Sequence, residues 1–269
     1  MATHTSRTWI SVGIIVIAII LVIVFVPKTK EQSQTDEVAT TTPPTLEQKM
    51  VVTSKIIKDE NSKAGYSINV IYPQLSGLTR SDAQIKINKS ISTNINELIS
   101  DFKKSNNDVS DSLPGSGLST LDVTYSIQPN TTIPNLISIR LIESFFESGA
   151  AHPGHFIETL NYNTSTGMEV TLDDVFSSSD YLQRISSYTR AELQKKIGSD
   201  ENIYPQITSG TTPDKENFSS FMFADTGLII IFQEYQVAAY AAGVQEVFVH
   251  YSAIRDIIDQ NGPLSFLFR

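Results

Sequence analysis

The sequence contains no cysteine among its 269 residues. That absence excludes disulfide bonds, thiolate metal sites, thiol nucleophiles and lipid attachment through cysteine. Basic residues are also few, because 20 Lys and Arg stand against 29 Asp and Glu, which gives a formal net charge of −9. A surface of that sign repels phosphate backbones, so nucleic acid is not an expected partner. It favours cationic partners instead.

The usual catalytic signatures are missing as well. The sequence has no phosphate-binding glycine loop, no dinucleotide fingerprint and no G-x-S-x-G elbow. Ser148, His152 and Asp173 have the residue types of a nucleophilic triad, but without the elbow nothing else supports one. We therefore expect no catalytic residue, no cofactor and no metal, and a protein that is not an enzyme.

Two pairs of acids have the composition of a glycosidase site. The first is Glu143 with Glu147, and the second is Asp173 with Asp174. The Asp pair follows Thr171-Leu172 at a predicted helix start, where acids commonly serve as caps and complement the helix dipole. A hydrolase acting on envelope glycan is therefore the alternative interpretation and not the leading one.

One long apolar run lies near the N-terminus. Residues 10–26 carry no charge, follow Trp9 and precede Pro27. The run approaches the roughly 20 residues that cross a hydrocarbon core, and it has no A-x-A-like cleavage site after it. We predict a short cytoplasmic tail at residues 1–9 and an uncleaved single-pass transmembrane anchor at residues 10–27. A cleaved signal peptide is the alternative, and the charges flanking the run do not decide its orientation.

The segment after the run is polar. Residues 28–50 are rich in Thr, Gln, Ser and Glu and contain no aromatic residue. Such a composition buries too little apolar area to order itself, so a disordered tether is predicted. The remainder is long enough for one domain, which we divide into a first half at 51–150 and a second half at 151–269.

Hydrophobic periodicity predicts the elements of that domain. Alternating apolar residues predict strands, and apolar residues three and four apart predict helices. The predicted strands are 66–72, 121–127, 137–141, 156–162, 168–172, 218–223, 228–232 and 244–249. The predicted helices are 87–102, 182–193 and a short one at 254–258, with a long loop at 199–217. This pattern predicts an α+β fold in which antiparallel hairpins pack with two main helices.

Four residues are predicted to bind a ligand. His152 and His155 lie three apart, but Pro153 and Gly154 place them in a loop without a complete set of metal ligands. Their alternative is a structural or surface role. Glu147 and Glu158 are the acids available nearby.

The other two are Tyr235 and Tyr240. They lie five apart, with small residues between them, in the stretch from Gln233 to Gly243. Tyrosine offers rigid amphipathic area, so the pair could present rings to a sugar or a protein. The alternative is a close-packed turn between two core strands.

Three segments resemble a known bacterial family. The first is Tyr66 to Pro73 with Leu75-Ser76-Gly77-Leu78 and the helix after it. The second comprises Ser148 to Pro153, Leu160 to Asn163, Thr166-Gly167 and Leu172 to Phe176. The third comprises Thr226 to Ile229, Phe232, Tyr235, Val237-Ala238, Tyr240, Ala242-Gly243 and Tyr251. Together they resemble the extracytoplasmic domain of RsiV-like, lysozyme-responsive anti-sigma factors. That domain is shared with the non-catalytic domain of PdaC-type peptidoglycan deacetylases.

The resemblance implies an exported α+β binding domain that faces the cell wall, with lysozyme as the known type of protein ligand. Two positions depart from the family. Ala150 stands in a stretch where a double glycine before Ala-His is usual, and His250 stands where proline is common. We also expect neither a sigma-binding module before the anchor nor a deacetylase domain after the folded part.

The expected function is therefore a membrane-anchored binding domain outside the cytoplasm. Its expected partner is a lysozyme-like hydrolase or wall glycan. A scaffold with no ligand of its own is the remaining alternative.

Overall fold

The computed structural model describes residues 50–108, 117–128, 132–178, 180–198 and 204–269. The predicted cytoplasmic tail, transmembrane anchor and tether lie outside these ranges, apart from Met50 at the end of the tether. Among the described helices, none is both long and apolar enough to cross a membrane. The described residues belong to one compact unit.

A five-stranded mixed sheet forms the first layer. Its strands run in the order β1-β2-β3-β4-β5 and all neighbours are antiparallel, except that β2 and β3 are parallel. Helix α1 (Ser81–Asp108) makes the crossover between those two strands. The strand bounds are β1 Val51–Asn61, β2 Tyr66–Ser76, β3 Ser119–Gln128, β4 Leu136–Phe146 and β5 Gly154–Asn163.

Helix α1 covers one face of this sheet. Ile87, Ile91 and Ile95 recur at four-residue spacing and are fully buried. They pack against alternate residues of the strands, for example Ile139 of β4. One apolar stripe of a helix against one face of a sheet is the α+β arrangement that the periodicity predicted.

The second layer has a three-stranded antiparallel sheet and most of the helices. Strands β6 (Phe221–Ala224), β7 (Gly227–Phe232) and β8 (Gln245–His250) lie in that order. The α-helices are α2 (Leu172–Val175), α3 (Tyr181–Ile197), α4 (Tyr204–Gly210) and α5 (Tyr251–Ile254). Short 3-10 turns occupy Lys215–Phe218, Tyr240–Ala242, Arg255–Ile257 and Ser265–Phe268. Their shared core includes Ile185, Phe218 and Phe232.

A buried polar seam joins the two sheets. The Ser138 hydroxyl donates to Asn161 Oδ1 at 2.6 Å and accepts from the Phe223 amide at 3.0 Å. Asn161 Nδ2 donates to the Phe221 carbonyl at 2.9 Å. Ser138 and Asn161 are 0% and 2% exposed, so each bond satisfies a group that would otherwise be costly to bury.

Several expectations about elements need correction. The sheet is mixed, not wholly antiparallel, because a 28-residue helix connects β2 to β3. Strand β2 continues past its predicted end at residue 72, through Pro73 to Ser76, although its pairing with β3 stops at Val70. Residues 168–172 form no strand, and only the Tyr162–Glu169 bridge is made there.

Two segments were assigned too little structure. The strand at Val51–Asn61 was not predicted, because as an edge strand it is mostly exposed and lacks clean alternation. The loop predicted at 199–217 contains α4 and a 3-10 turn within its described part. Ile207 anchors α4 because it is fully buried in the second core.

Candidate binding surface

The edge strand β5 is held by side chains from the segment that follows β7. The Gln233 side chain accepts a hydrogen bond from the Ile157 amide at 2.9 Å and donates to the Ile157 carbonyl at 2.8 Å. One side-chain amide thus takes the place of a backbone peptide group in a neighbouring strand. Ser220 also donates to the Ile157 carbonyl, at 3.0 Å. This pairing blunts the edge of the sheet and fixes residues 233–243 beside β5.

Glu234 makes a second contact with β5, at His155, two residues before Ile157. Its carboxylate accepts from the His155 amide at 3.2 Å, and its other oxygen lies 3.0 Å from His155 Nδ1. A carboxylate can only accept, so the ring hydrogen lies on Nδ1 in this contact. The Glu234 side chain is 12% exposed and that of His155 is 37% exposed. His155 is therefore positioned by an acid, with part of its ring reachable from solvent.

Three aromatic rings stack next to this pair. The His152 ring lies 4.2 Å from the Tyr240 ring at an interplanar angle of 28°. The Tyr240 ring in turn lies 5.6 Å from that of Tyr235 at 29°. We call His152, Tyr240 and Tyr235 the aromatic stack. Its outer member Tyr235 is 56% exposed, so the stack presents ring area to solvent.

Hydrogen bonds fix the stack to the 148–155 loop. The Tyr240 hydroxyl donates to the Pro153 carbonyl at 3.1 Å, and His152 Nδ1 lies 3.0 Å from the same oxygen. Two rings from distant parts of the sequence thus converge on one carbonyl group. The four residues predicted to bind, His152, His155, Tyr235 and Tyr240, therefore lie together on one surface.

Helix α4 supports the segment that carries the tyrosines. Gln206 donates to the carbonyls of Tyr235 at 2.7 Å and Ala238 at 2.9 Å. Tyr235 adopts φ of +65°, a conformation uncommon for residues other than glycine, which these contacts stabilise. Gly210 permits the approach, because a Cβ there would collide with the Gln236 carbonyl.

The candidate triad is not assembled. The Asp173 carboxylate accepts from the Tyr181 hydroxyl at 2.8 Å and pairs with Lys215. Hydrogen bonds from Lys215 and Tyr181 lower the pKa of Asp173. The Ser148 hydroxyl is buried without a partner, and His152 contacts Pro153 and Tyr240 instead.

The two acid pairs considered for a glycosidase site do not act as pairs in the structure. Asp174 accepts from both the amide and the hydroxyl of Thr171, at 2.8 and 2.7 Å, as the predicted helix start implied. Glu143 lies beside Glu158 of β5, not beside Glu147. Within the described ranges, no group of three or more His, Asp or Glu side chains could hold a metal ion.

Sequence reasoning missed the residues that hold the surface together. Gln233, Glu234 and Gln236 lie in the stretch from Gln233 to Gly243, where only the two tyrosines were predicted to bind. The buried pair Glu143 and Glu158 was missed as a pair, because only the register of β4 and β5 brings them together.

Family models match the two layers separately. Residues 57–155 match the model described as deacetylase PdaC, and residues 173–252 match protein of unknown function (DUF3298). The first match runs from β1 to the start of β5, and the second from α2 to α5.

Curated relatives come from two bacteria. The peptidoglycan-N-acetylmuramic acid deacetylase PdaC of Bacillus subtilis is 34% identical over 115 residues, which are 42% of this chain and 24% of that protein. An esterase of Mycobacterium tuberculosis is 25% identical over 135 residues, covering 50% of this chain and 58% of the esterase. The chain thus spans about a quarter of the first relative and somewhat over half of the second. The anti-sigma-V factor RsiV of B. subtilis is 24% identical over 209 residues, covering 75% of this chain and 68% of RsiV.

Solved structures share the fold. A DUF3298 family member from Bacteroides fragilis aligns with a TM-score of 0.60 at 14% identity, covering 81% of this chain and 96% of that one. A DUF3298 protein from Pseudomonas aeruginosa aligns with a TM-score of 0.57 at 13% identity, covering 80% and 97%. At these identities the likeness concerns architecture alone.

Proposed function

We propose a function from one premise, which is that the chain carries the RsiV-like domain shared with PdaC. The matches to both proteins and to both family models support this premise. On that premise the protein is a binding domain of the bacterial cell envelope. It faces the cell wall and engages a lysozyme-like hydrolase or wall glycan through the aromatic stack.

The observation that carries this proposal is the stack itself. The exposed Tyr235 ring, backed by the stacked rings of Tyr240 and His152, offers a flat, rigid, amphipathic contact of the kind that sugars and protein hot spots use. His155 and Glu234 flank them with polar groups that are already oriented. A preorganised surface loses little entropy on binding.

The proposed location is outside the cytoplasm, on a single-pass N-terminal anchor at residues 10–27. Support comes from the uncharged apolar run and from two relatives, a peptidoglycan deacetylase and an anti-sigma factor. Expressed with its N-terminus intact, the chain should sediment with membranes, and protease added to protoplasts should degrade residues 50–269. Recovery in the soluble fraction, or protection from external protease, would contradict the anchor or its orientation.

The binding proposal is tested by titrating lysozyme into the full-length chain calorimetrically, at low and at physiological salt. We expect saturable binding that persists at physiological salt. Tyr240→Ala and Tyr235→Ala should each weaken it by about tenfold or more, as truncation of a central aromatic residue does at interfaces. Tyr240→Phe keeps the ring and should stay within about threefold of the parent, because it loses only one exposed hydrogen bond.

Ile85→Ala is the control on the surface of α1, since Ile85 is 65% exposed and distant in sequence from the stack. Binding that disappears at physiological salt would be only charge attraction between an acidic and a basic protein. Absence of binding at both salt concentrations would remove lysozyme as the partner. Purified peptidoglycan fragments would then be titrated, with the same variants.

The alternative function is a hydrolase acting on envelope glycan. Its motivation is that the relatives include a deacetylase and an esterase. His152→Ala and His155→Ala should abolish any such activity; an activity that survives both substitutions would deprive the hydrolase of its candidate residues. A scaffold without its own ligand would enrich no envelope partner after crosslinking.

A further inference from the structure

Two acidic side chains lie on the face of the first sheet that α1 only partly covers. Glu143 of β4 pairs directly with Phe156 of β5, and Glu158 follows two residues after Phe156. Glu143 continues the row of Ile137, Ile139 and Leu141, which pack against α1. The two carboxyl groups are therefore close neighbours at the margin of the first core.

Glu143 is buried without compensation. It is 7% exposed, and among the described residues no hydrogen-bond donor or cation pairs with it. Burial and the charge of Glu158 raise the pKa of Glu143 to about 7. Glu158 receives one hydrogen bond, from Asn94 of α1 at 2.5 Å, while burial raises its pKa too.

Asn94 leaves a third acceptor free. Its Oδ1 is fully buried and has no partner, because only Nδ2 is used for Glu158. Buried acceptors without donors are uncommon in native proteins and call for an explanation. Among the described residues, Asn94 Oδ1 and Glu143 have no donor and Glu158 has one. The ionised carboxylates and the amide oxygen can only accept, so a ligand that binds all three must donate.

The charged groups around the pair do not supply that donor. Glu169 adds to the negative potential at Glu158. Lys86, Lys89 and Glu97 lie with Asn94 along a shallow depression beside α1. Within the described part of the chain, none of these lysines forms an ion pair with Glu143 or Glu158.

Two exposed phenylalanine rings border the acids. Phe145 and Phe156 are each 41% exposed. The Phe145 ring lies directly over Gly154, where any Cβ would collide with it. Rings beside carboxylates suit a group that is both cationic and flat, since a guanidinium can stack on aromatic faces while donating to acids.

We propose that Glu143, Glu158 and Asn94, bordered by Phe145 and Phe156, form a subsite for a cationic side chain of a protein partner, with arginine preferred over lysine. The ammonium or guanidinium group donates to Glu143, Glu158 and Asn94 Oδ1 while its alkyl stem contacts the rings. The subsite lies on the opposite face of β5 from His155, because the side chains of residues 156 and 158 alternate with those of 155 and 157. The inference extends the proposed binding function and names the chemistry of one anchor on the partner.

The test uses small probes on the full-length chain, so that it does not depend on the identity of the partner. n-Butylguanidinium, n-butylammonium and uncharged 1-pentanol are titrated at pH 8 and constant ionic strength. The ring resonances of Phe145 and Phe156 are followed by NMR with labelled phenylalanine. We expect saturable shifts with the two cations, guanidinium the tighter, and none that saturate with pentanol.

The variants locate the site. Glu143→Gln and Glu158→Gln should each weaken butylguanidinium binding by about tenfold or more, as loss of one of two charges in a shielded site implies. Glu60→Gln is the matched control, an exposed acid on β1 at the opposite edge of the sheet from β5, and should leave binding unchanged. Thermal unfolding of each variant shows that it is folded.

The pH dependence of butylguanidinium binding gives a second readout, which needs no substitution in the protein. The cation must displace the proton from Glu143, so binding should weaken about tenfold between pH 8 and pH 6. Glu143→Gln should lose that dependence, whatever its residual affinity.

Three results would overturn the subsite. Pentanol saturating with equal affinity would make it a merely apolar contact. Calcium chloride saturating the site while both organic cations fail would make it a divalent-metal site. Affinity unaltered in both glutamine variants would place the cation elsewhere. If butylguanidinium binds but lysozyme does not, only lysozyme is rejected as the partner. If lysozyme binds but butylguanidinium does not, only the subsite is rejected.

Discussion

At the scale of single residues, the Glu143 carboxyl group makes the stability of the fold depend on pH. Its pKa is about 7 in the folded state and 4.5 ordinarily, so the folded chain holds a proton that the unfolded chain releases between these values. Stability should therefore fall as pH rises from about 4.5 to 7, by an amount on the order of 3 kcal/mol.

Glu143→Gln should remove that slope. The variant should gain stability at pH 8 and gain none at pH 4, because the parent is protonated there. Urea unfolding followed by circular dichroism at both pH values measures the effect, with Glu97→Gln as the control. If the stability of the variant depends on pH as steeply as that of the parent, Glu143 is ionised in the fold at little cost in free energy.

The buried Asn161 side chain links the two layers through hydrogen bonds to Ser138 and Phe221. Asn161→Leu should destabilise the protein by about 2–4 kcal/mol, because Ser138 loses its acceptor and the Phe221 carbonyl loses its donor inside the seam. Asn96→Leu, at an exposed position on α1, is the comparison in chemical denaturation. Equal losses would mean that the seam is replaceable by apolar packing.

Individual residues also show how far sequence reasoning reaches. His152 with His155, and Tyr235 with Tyr240, were predicted separately as binding candidates. The structure brings the two pairs together, and their role in binding stays a prediction. Glu143 with Glu158 was not predicted, because a pair between strands depends on register. Nothing in either local sequence encodes register.

At the scale of elements, the approach of α4 to the 233–243 segment depends on Gly210. Gly210→Ala should push the Gln236 carbonyl and Val237 away and should cost about 1–3 kcal/mol, as overpacking does. It should also weaken ligand binding, because Gln206 on the same helix holds the backbone of Tyr235.

Gly117→Ala is the matched control, since a Cβ there meets nothing within 4 Å. Thermal unfolding and the lysozyme titration measure the two effects. A Gly210→Ala chain that unfolds and binds like the parent would mean that the helix and the segment shift without consequence.

Elements with a strong period were predictable, and those stabilised by tertiary contacts were not. The stripe of Ile87, Ile91 and Ile95 marked α1 correctly because that face is buried. Strand β1 is mostly exposed, so its sequence shows no alternation of apolar and polar residues. Its eleven residue pairs with β2 stabilise it. Helix α4 lies in a polar stretch and is held by one buried side chain, Ile207.

At the scale of the whole molecule, the α+β class followed from hairpins and two long helices without regular β-α-β alternation. The mixed sheet did not follow, because a parallel neighbour is a property of chain routing and not of local pattern. That one crossover places α1 over the first sheet, and Glu143 lies at the margin of the face that the helix covers.

The net charge of −9 should control how fast a cationic partner arrives. Association with lysozyme, measured by stopped-flow fluorescence, should slow several-fold as salt rises from about 50 to 300 mM, while dissociation changes little. Dissociation carrying most of the salt dependence would instead indicate that short-range ion pairs dominate the contact.

The side-chain amide of Gln233 gives one final consequence, for hydrogen exchange. The Ile157 amide belongs to an edge strand, where peptide hydrogens ordinarily exchange readily, yet it donates to a group from the other layer. Its exchange rate should therefore report how often the two layers separate, and not how often β5 frays. In Gln233→Leu that single amide should exchange much faster, while the Ile139 amide within the first sheet keeps its protection.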